Sequence, residues 1–204
     1  MIYSDDFIWL HFPKCAGSKV EELFSKYFSD EKTIFQDPIG PTYNYWHDSI
    51  EQREKRDTTF TLGNRTIISS FRRLPTWLQS RYNFEVRRNP GLDHRPEKLL
   101  EGKFLEANGV ENHADYYPRK YLPKHILLSP ELRFLRLEYF EADFKEIFGT
   151  FVAVDKIPSW EFQAKANTSR SVLPKTIKEA LSRNQEVLYA RCPYWKMVEE
   201  IAYP

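Results

Sequence analysis

The stretch Phe7-Ile8-Trp9-Leu10-His11-Phe12-Pro13-Lys14-Cys15-Ala16-Gly17-Ser18-Lys19-Val20-Glu21-Glu22-Leu23-Phe24 decides the fold. Its first six residues are a short apolar run that reads as a buried strand. Pro13 to Gly17 then form a turn. Val20, Leu23, Phe24 and Tyr27 fall at helical spacing, which predicts an amphipathic helix from Ser18 to about Phe28. Ser18 reads as its N-cap, and Glu21, three residues on, as the second half of a capping box. A strand that feeds a tight turn and then a helix aims several main-chain N–H groups at one point. Their partial positive charge suits a phosphate or sulfate. Lys14 adds a full positive charge at the mouth of this turn, and Ser18 adds a hydroxyl donor.

The rest of the chain extends the same alternation. Thr66 to Phe71 (TIISSF) is a second β-type run, Arg133 to Leu137 (RFLRL) a third and Phe151 to Val154 a fourth. Breakers between Pro38 and Pro41 precede a polar helical run from His47 to Lys55. Pro75 opens a helix reaching Tyr82. Phe140, Phe144, Ile147 and Phe148 form a helix face that Gly149 ends. Ile177, Leu181, Asn184 and Leu188 give a late helix with Pro174 near its start. Residues 87–124 read as helical pieces and loops. Strands alternating with helices predict an α/β fold, a central parallel β-sheet flanked by helices.

Composition narrows the function. The 204 residues are 41% apolar and 16% aromatic with only 7 Gly, which marks a folded chain with a sizeable core. The 30 basic and 29 acidic residues leave a net charge of +1. A general nucleic-acid binder needs a strong basic excess to displace counterions, so no nucleic-acid partner is expected. No apolar run approaches a membrane span, and the N-terminal residues carry no basic segment followed by a long apolar one. Cys15 and Cys192 are the only cysteines. They form neither a disulfide framework nor a metal-ligand spacing, so a reducing, cytoplasmic setting is expected, and no metal. Without a secretory signal, the sequons at Asn64 and Asn167 are chance matches.

The turn is not a Walker A loop, because it has one Gly and its Lys precedes that Gly. Pro13-Lys14-Cys15-Ala16-Gly17-Ser18-Lys19 closely resembles the 5′-phosphosulfate loop of PAPS-dependent sulfotransferases. PAPS is 3′-phosphoadenosine 5′-phosphosulfate, and the family pattern is roughly P-K-[ST]-[AG]-G-[ST]-[ST] after a strand. Cys15 replaces a small hydroxyl residue, and Lys19 stands where Ser or Thr is usual. The resemblance implies that Lys14, Cys15, Ala16, Gly17, Ser18 and Lys19 hold the donor. It also implies a second anion site for the 3′-phosphate, which the family builds as R-[ND]-P-x-x-R-x-x-S. In Arg72-Arg73-Leu74-Pro75-Thr76-Trp77-Leu78-Gln79-Ser80, Arg72 and Ser80 keep the spacing. Pro75 sits one place late, and Trp77 stands at the second Arg. A guanidinium fork suits a phosphate, and Arg73 serves as well as Arg72 if the register shifts by one.

Two further segments resemble the family in the expected order, Phe134 to Gly149 and the loop Lys165 to Pro174. The resemblance then implies one sulfotransferase-like domain over residues 1–204, with a variable acceptor-side region around 84–125. The implied activity is transfer of a sulfuryl group from PAPS to a hydroxyl of a carbohydrate or small-molecule acceptor, releasing PAP (3′-phosphoadenosine 5′-phosphate). Such transfer needs in-line positioning, charge stabilisation and a base. Lys14 is expected to balance charge on the leaving phosphate. His47, in Tyr45-Trp46-His47-Asp48, is the favoured base, with a carboxylate such as Asp48 as the alternative, and His11 packs or orients the loop. His94, His113 and His125 read as surface histidines. Tyr116, Tyr117, Arg119, Arg87 and Arg88 are placed at the acceptor cleft by position. Two alternatives carry the same anion logic, a nucleotide or small-molecule kinase and a non-catalytic PAP-binding relative.

Overall fold

The computed structural model describes residues 1–38, 45–163 and 171–204. In chain order the elements are β1 (Ile2–Tyr3), β2 (Phe7–Leu10), α1 (Gly17–Tyr27), β3 (Phe35–Gln36), α2 (Ile50–Arg56), β4 (Thr66–Phe71), α3 (Leu74–Arg88), β5 (Lys103–Leu105), β6 (Glu111–His113), α4 (Tyr116–Tyr121), α5 (Lys124–Leu127), β7 (Leu132–Arg136), α6 (Phe140–Phe148), α7 (Ser159–Gln163), α8 (Lys175–Arg183), α9 (Gln185–Arg191) and α10 (Pro193–Ala202). The chain divides into two compact units. One comprises Met1–Phe71 with Tyr121–Thr168, the other Arg72–Lys120 with Ser169–Pro204. Among the described residues no helix is long and apolar enough to cross a membrane.

The first unit is an α/β layer built on a five-stranded sheet of order β3-β1-β2-β4-β7. β2, β4 and β7 run parallel, with Leu10 opposite Ser69 and Ile67 opposite Leu132. The fully parallel sheet expected from the alternation is therefore corrected to a mixed one, because β1 and β3 pair antiparallel. The cause is local. The Ser4 hydroxyl accepts the N–H groups of Asp6 and Phe7, and the Ser4 N–H donates to the Phe7 carbonyl. So short a turn joins only antiparallel strands. All four residues of β2 are buried, as a strand covered on both faces requires. Val20, Leu23 and Phe24 of α1 meet Phe144 and Phe148 of α6 over Phe7, Trp9, Ile68 and Leu135. The rings interlock, with Phe24 and Phe148 centred 5.0 Å apart and Phe144 and Phe148 4.7 Å apart.

Three expected elements change here. Phe151 to Val154 is a turn and a 3₁₀ piece, not a strand, because the N–H groups of Phe151 and Val152 both return to the Phe148 carbonyl. Gly149 ends α6 in a right-handed conformation. A Cβ there would strike the Lys145 carbonyl oxygen, so steric room explains this glycine, not a left-handed cap. The polar helix begins at Ile50, with Ser49 as N-cap and Gln52 completing the capping box.

A buried carboxylate ties α1 to α7. Glu161 accepts from Lys19 (3.2 Å), from the Tyr27 hydroxyl (3.0 Å) and from Lys26. The Lys26 bond, ahead of the others, holds its carboxyl down at about 2, against an ordinary 4.5. A depressed folded-state value contributes stability above the unfolded value and loses it as pH falls through the folded one. The protein is therefore expected to lose urea resistance from pH 4.5 down to about 2. Glu161→Gln should be weaker at neutral pH and flatter across that window. Parallel urea-midpoint curves for the two proteins would rule this out.

The second unit packs around Trp77, whose ring lies 4.6 Å from Trp195, 5.3 Å from Tyr117 and 5.6 Å from Phe104. α3 runs to Arg88, six residues beyond the expected end at Tyr82. The late helix is two, α8 and α9, broken at Asn184.

Candidate functional site

β2 ends at Leu10, and the chain turns at once into α1. Lys14 and Ala16 adopt left-handed backbone conformations, with φ of 65° and 62°. Neither is glycine, and such residues each cost on the order of 1–3 kcal/mol unless their surroundings enforce the conformation. Turns that mix left- and right-handed residues curl their N–H groups into a concavity that suits an anion. At the start of α1 the N–H groups of Lys19 and Val20 return to the Ala16 carbonyl at 2.9 and 3.2 Å, so the orphan donors of the helix start are those of Gly17 and Ser18.

The cap differs from the one expected. The N-cap is Ala16, which has no side-chain acceptor, and Ser18 is an exposed residue of the first helical turn. Glu21 does not close a capping box with Ser18, because its carboxylate accepts from His11 Nδ1 at 2.8 Å. Both side chains are buried. The helix start is shaped by His11 in place of a cap. A Cβ on Gly17 would lie inside the His11 imidazole, so Gly17 is required for that ring to fit. Cys15 is buried and Lys14 half-buried. Lys19 turns the other way, its ammonium held by Glu161 and, at 3.3 Å, by Glu22. Its charge is thus committed to the α1–α7 clamp.

His47 is brought to this turn. Its ring centre lies 4.4 Å from that of His11, and its Nδ1 is 3.3 Å from the His11 carbonyl oxygen. Trp46 sits edge-on to His11 at 5.7 Å. The Tyr121 hydroxyl donates to the His47 carbonyl at 2.8 Å. Lys14 and His47, both chosen from sequence, therefore share the first unit with the turn, and His47 adjoins its first residue. The loop Lys165 to Pro174 lies outside the described residues from 165 to 170, and so does the breaker segment from 39 to 41.

β4 ends beside β2, where Phe71 meets Phe12 edge-on at 5.6 Å. Arg72 is the next residue and the first of the second unit. There its Nε donates to Thr76 Oγ1 at 3.2 Å. Ser80 is one helical turn past Thr76, on the same face of α3. Arg73 is held by Glu199 at 3.2 Å and lies over the Tyr203 ring at 4.3 Å. Glu199 also accepts the Leu74 N–H at 3.0 Å. Trp77 is a core residue of this unit.

Other residues singled out from the sequence make structural contacts, and one, His94, is not the surface residue expected. His94 is buried, with its ring nitrogens 2.8 and 3.3 Å from the carbonyls of Asn89 and Leu105. The Tyr117 hydroxyl donates to Glu106 at 2.7 Å, and Arg119 covers the Tyr194 ring at 4.4 Å. Sequence spacing offered no metal-ligand cluster, yet His113, Asp115 and Cys192 come together. Their hydrogen bonds have other tasks. Asp115 caps α10 by accepting the N–H groups of Tyr194 (3.0 Å) and Trp195 (2.8 Å). His113 Nδ1 accepts the Asp115 N–H at 3.2 Å, which leaves the ring proton on the Nε2 edge facing Cys192. Burial pushes the Cys192 thiol up to about 12. No protein-family model, curated protein or solved structure matches the chain.

Proposed function

We propose that this chain is a cytoplasmic PAPS-dependent sulfotransferase acting on a hydroxyl of a carbohydrate or small-molecule acceptor. The observation that carries the reading is the strained, non-glycine turn from β2 into α1, with Lys14 in it and His47 beside it. Strain of this kind is retained where it serves a site, and the turn carries the charge and N–H groups that a phosphosulfate needs. The acceptor oxygen attacks sulfur in line. The new O–S bond forms as the bond from sulfur to the bridging phosphate oxygen breaks. His47 takes the hydroxyl proton, and Lys14 balances the charge on the departing 5′-phosphate of PAP. Arg72, with Thr76 and Ser80, would hold the 3′-phosphate.

PAP at a hundredfold excess over its Kd should stabilise the protein by about 2.7 kcal/mol, raising Tm by roughly 5–10 °C. ATP with Mg²⁺ should not. Arg72→Ala should weaken PAP binding about tenfold or more, while Arg73→Ala acts mainly on stability through the lost Glu199 contact. Stabilisation by ATP with Mg²⁺ and not by PAP would favour the kinase reading. PAP binding with no transfer of labelled sulfate to any of a panel of sugars and phenols would favour a non-catalytic relative.

A further inference from the structure

We infer that Glu21 and His11 form a positioning pair that orients His47, so that its Nδ1 stays on the main-chain carbonyl of residue 11. Its catalytic meaning rests on the reading of His47 as the base. The pair itself does not, because it is defined by hydrogen bonds. The Glu21 carboxylate can only accept, so the 2.8 Å contact places a proton on His11 Nδ1. That bond, with the bare Gly17 backbone against the opposite ring edge, leaves the His11 imidazole one orientation. The ring then walls one side of His47 at 4.4 Å. The carbonyl of residue 11 also can only accept, so the proton of neutral His47 lies on Nδ1. The Tyr121 hydroxyl anchors the His47 main chain from the other end. Neutral His47 thereby carries its lone pair on Nε2, the reverse of the tautomer that free histidine prefers. The second nitrogen's partner sets which nitrogen can act, as in other histidine sites.

Sequence order hides this arrangement. Glu21 and His11 are ten residues apart across the strand–turn–helix junction, and His47 follows 36 residues after His11. Glu21 touches no reacting atom, so it is a positioning residue.

The test is ¹⁵N NMR of the imidazoles in wild type, Glu21→Gln, Glu21→Ala and His11→Ala, each checked for native circular dichroism. Wild-type His47 should show a protonated Nδ1 and an unprotonated Nε2. Glu21→Gln offers a neutral oxygen to His11 Nδ1 and should keep that signature. Glu21→Ala and His11→Ala should lose it. Wild-type His47 protonated on Nε2 overturns the inference, and so does an unchanged signature in folded Glu21→Ala and His11→Ala. If the labelled-sulfate assay registers transfer, Glu21→Ala should lower kcat about 10²-fold with little change in PAP binding, as a displaced catalytic group does. The NMR result stands whether or not transfer is found, so a failed sulfotransferase reading and a failed positioning pair leave different records.

Discussion

Replacing Lys14 with alanine is expected to lower sulfuryl transfer about 10³-fold, or roughly 4 kcal/mol of transition-state stabilisation, while the fold survives. The size follows from where charge develops. In the proposed transfer, negative charge would move onto the phosphate of PAP as the bridging bond breaks, and a preorganised cation beside it is worth far more than the same cation in water. The fold should survive because Lys14 is half-buried and stands outside the apolar cluster that joins β2, α1 and α6. Its left-handed backbone even makes Lys14→Gly a useful control, since glycine adopts φ near 65° without cost. Lys14→Gly should be at least as stable as wild type and as inactive as Lys14→Ala. Labelled-sulfate transfer, PAP affinity and thermal unfolding measure the three quantities. Wild-type turnover in either variant would remove Lys14 from the mechanism.

The contrast between what the residues announced and what they did is sharpest within this one junction. The strand, turn and helix were legible because burial on both faces of β2 and the spacing of Val20, Leu23 and Phe24 are local properties. Lys14 and His47 were picked out by residue type and position, and the structure places His47 against His11 at the start of the turn. The roles of Glu21, Lys19 and Gly17 were not, because each is set by a side chain that arrives from outside its own element. Glu21 is three residues from a serine, which is the capping-box spacing, yet a buried imidazole competes for its carboxylate and wins. Lys19 was expected to contact an anion, but Glu161, far along the chain, claims its charge. The antiparallel β1 and β3 were missed for another reason. Two-residue strands carry no periodicity to read. The contacts of Arg73 and the Leu74 N–H with Glu199 of α10 were hidden as well, because no local pattern predicts them.

Gly17→Ala is expected to destabilise the protein by about 1–3 kcal/mol, the range for forcing a methyl into a filled site, and so to lower Tm by roughly 3–10 °C. The backbone at Gly17 is helical, so alanine's helix preference alone would favour the change by about 1 kcal/mol. The sign is therefore decided by sterics. The added Cβ would fall within the His11 ring, and that ring cannot retreat while Glu21 holds Nδ1 and Trp9 and His47 flank its faces at 5.3 and 4.4 Å. A double-mutant cycle separates this cause from a general loss of helix or loop structure. In a His11→Ala background the space is open, and Gly17→Ala should cost little or even stabilise. The coupling between the two sites should then be favourable and on the order of 1–3 kcal/mol, well beyond the few tenths seen for independent positions. Urea unfolding of the four proteins yields it directly. Strictly additive costs would mean that Gly17 is glycine for the sake of its own backbone and that His11 does not shape the turn.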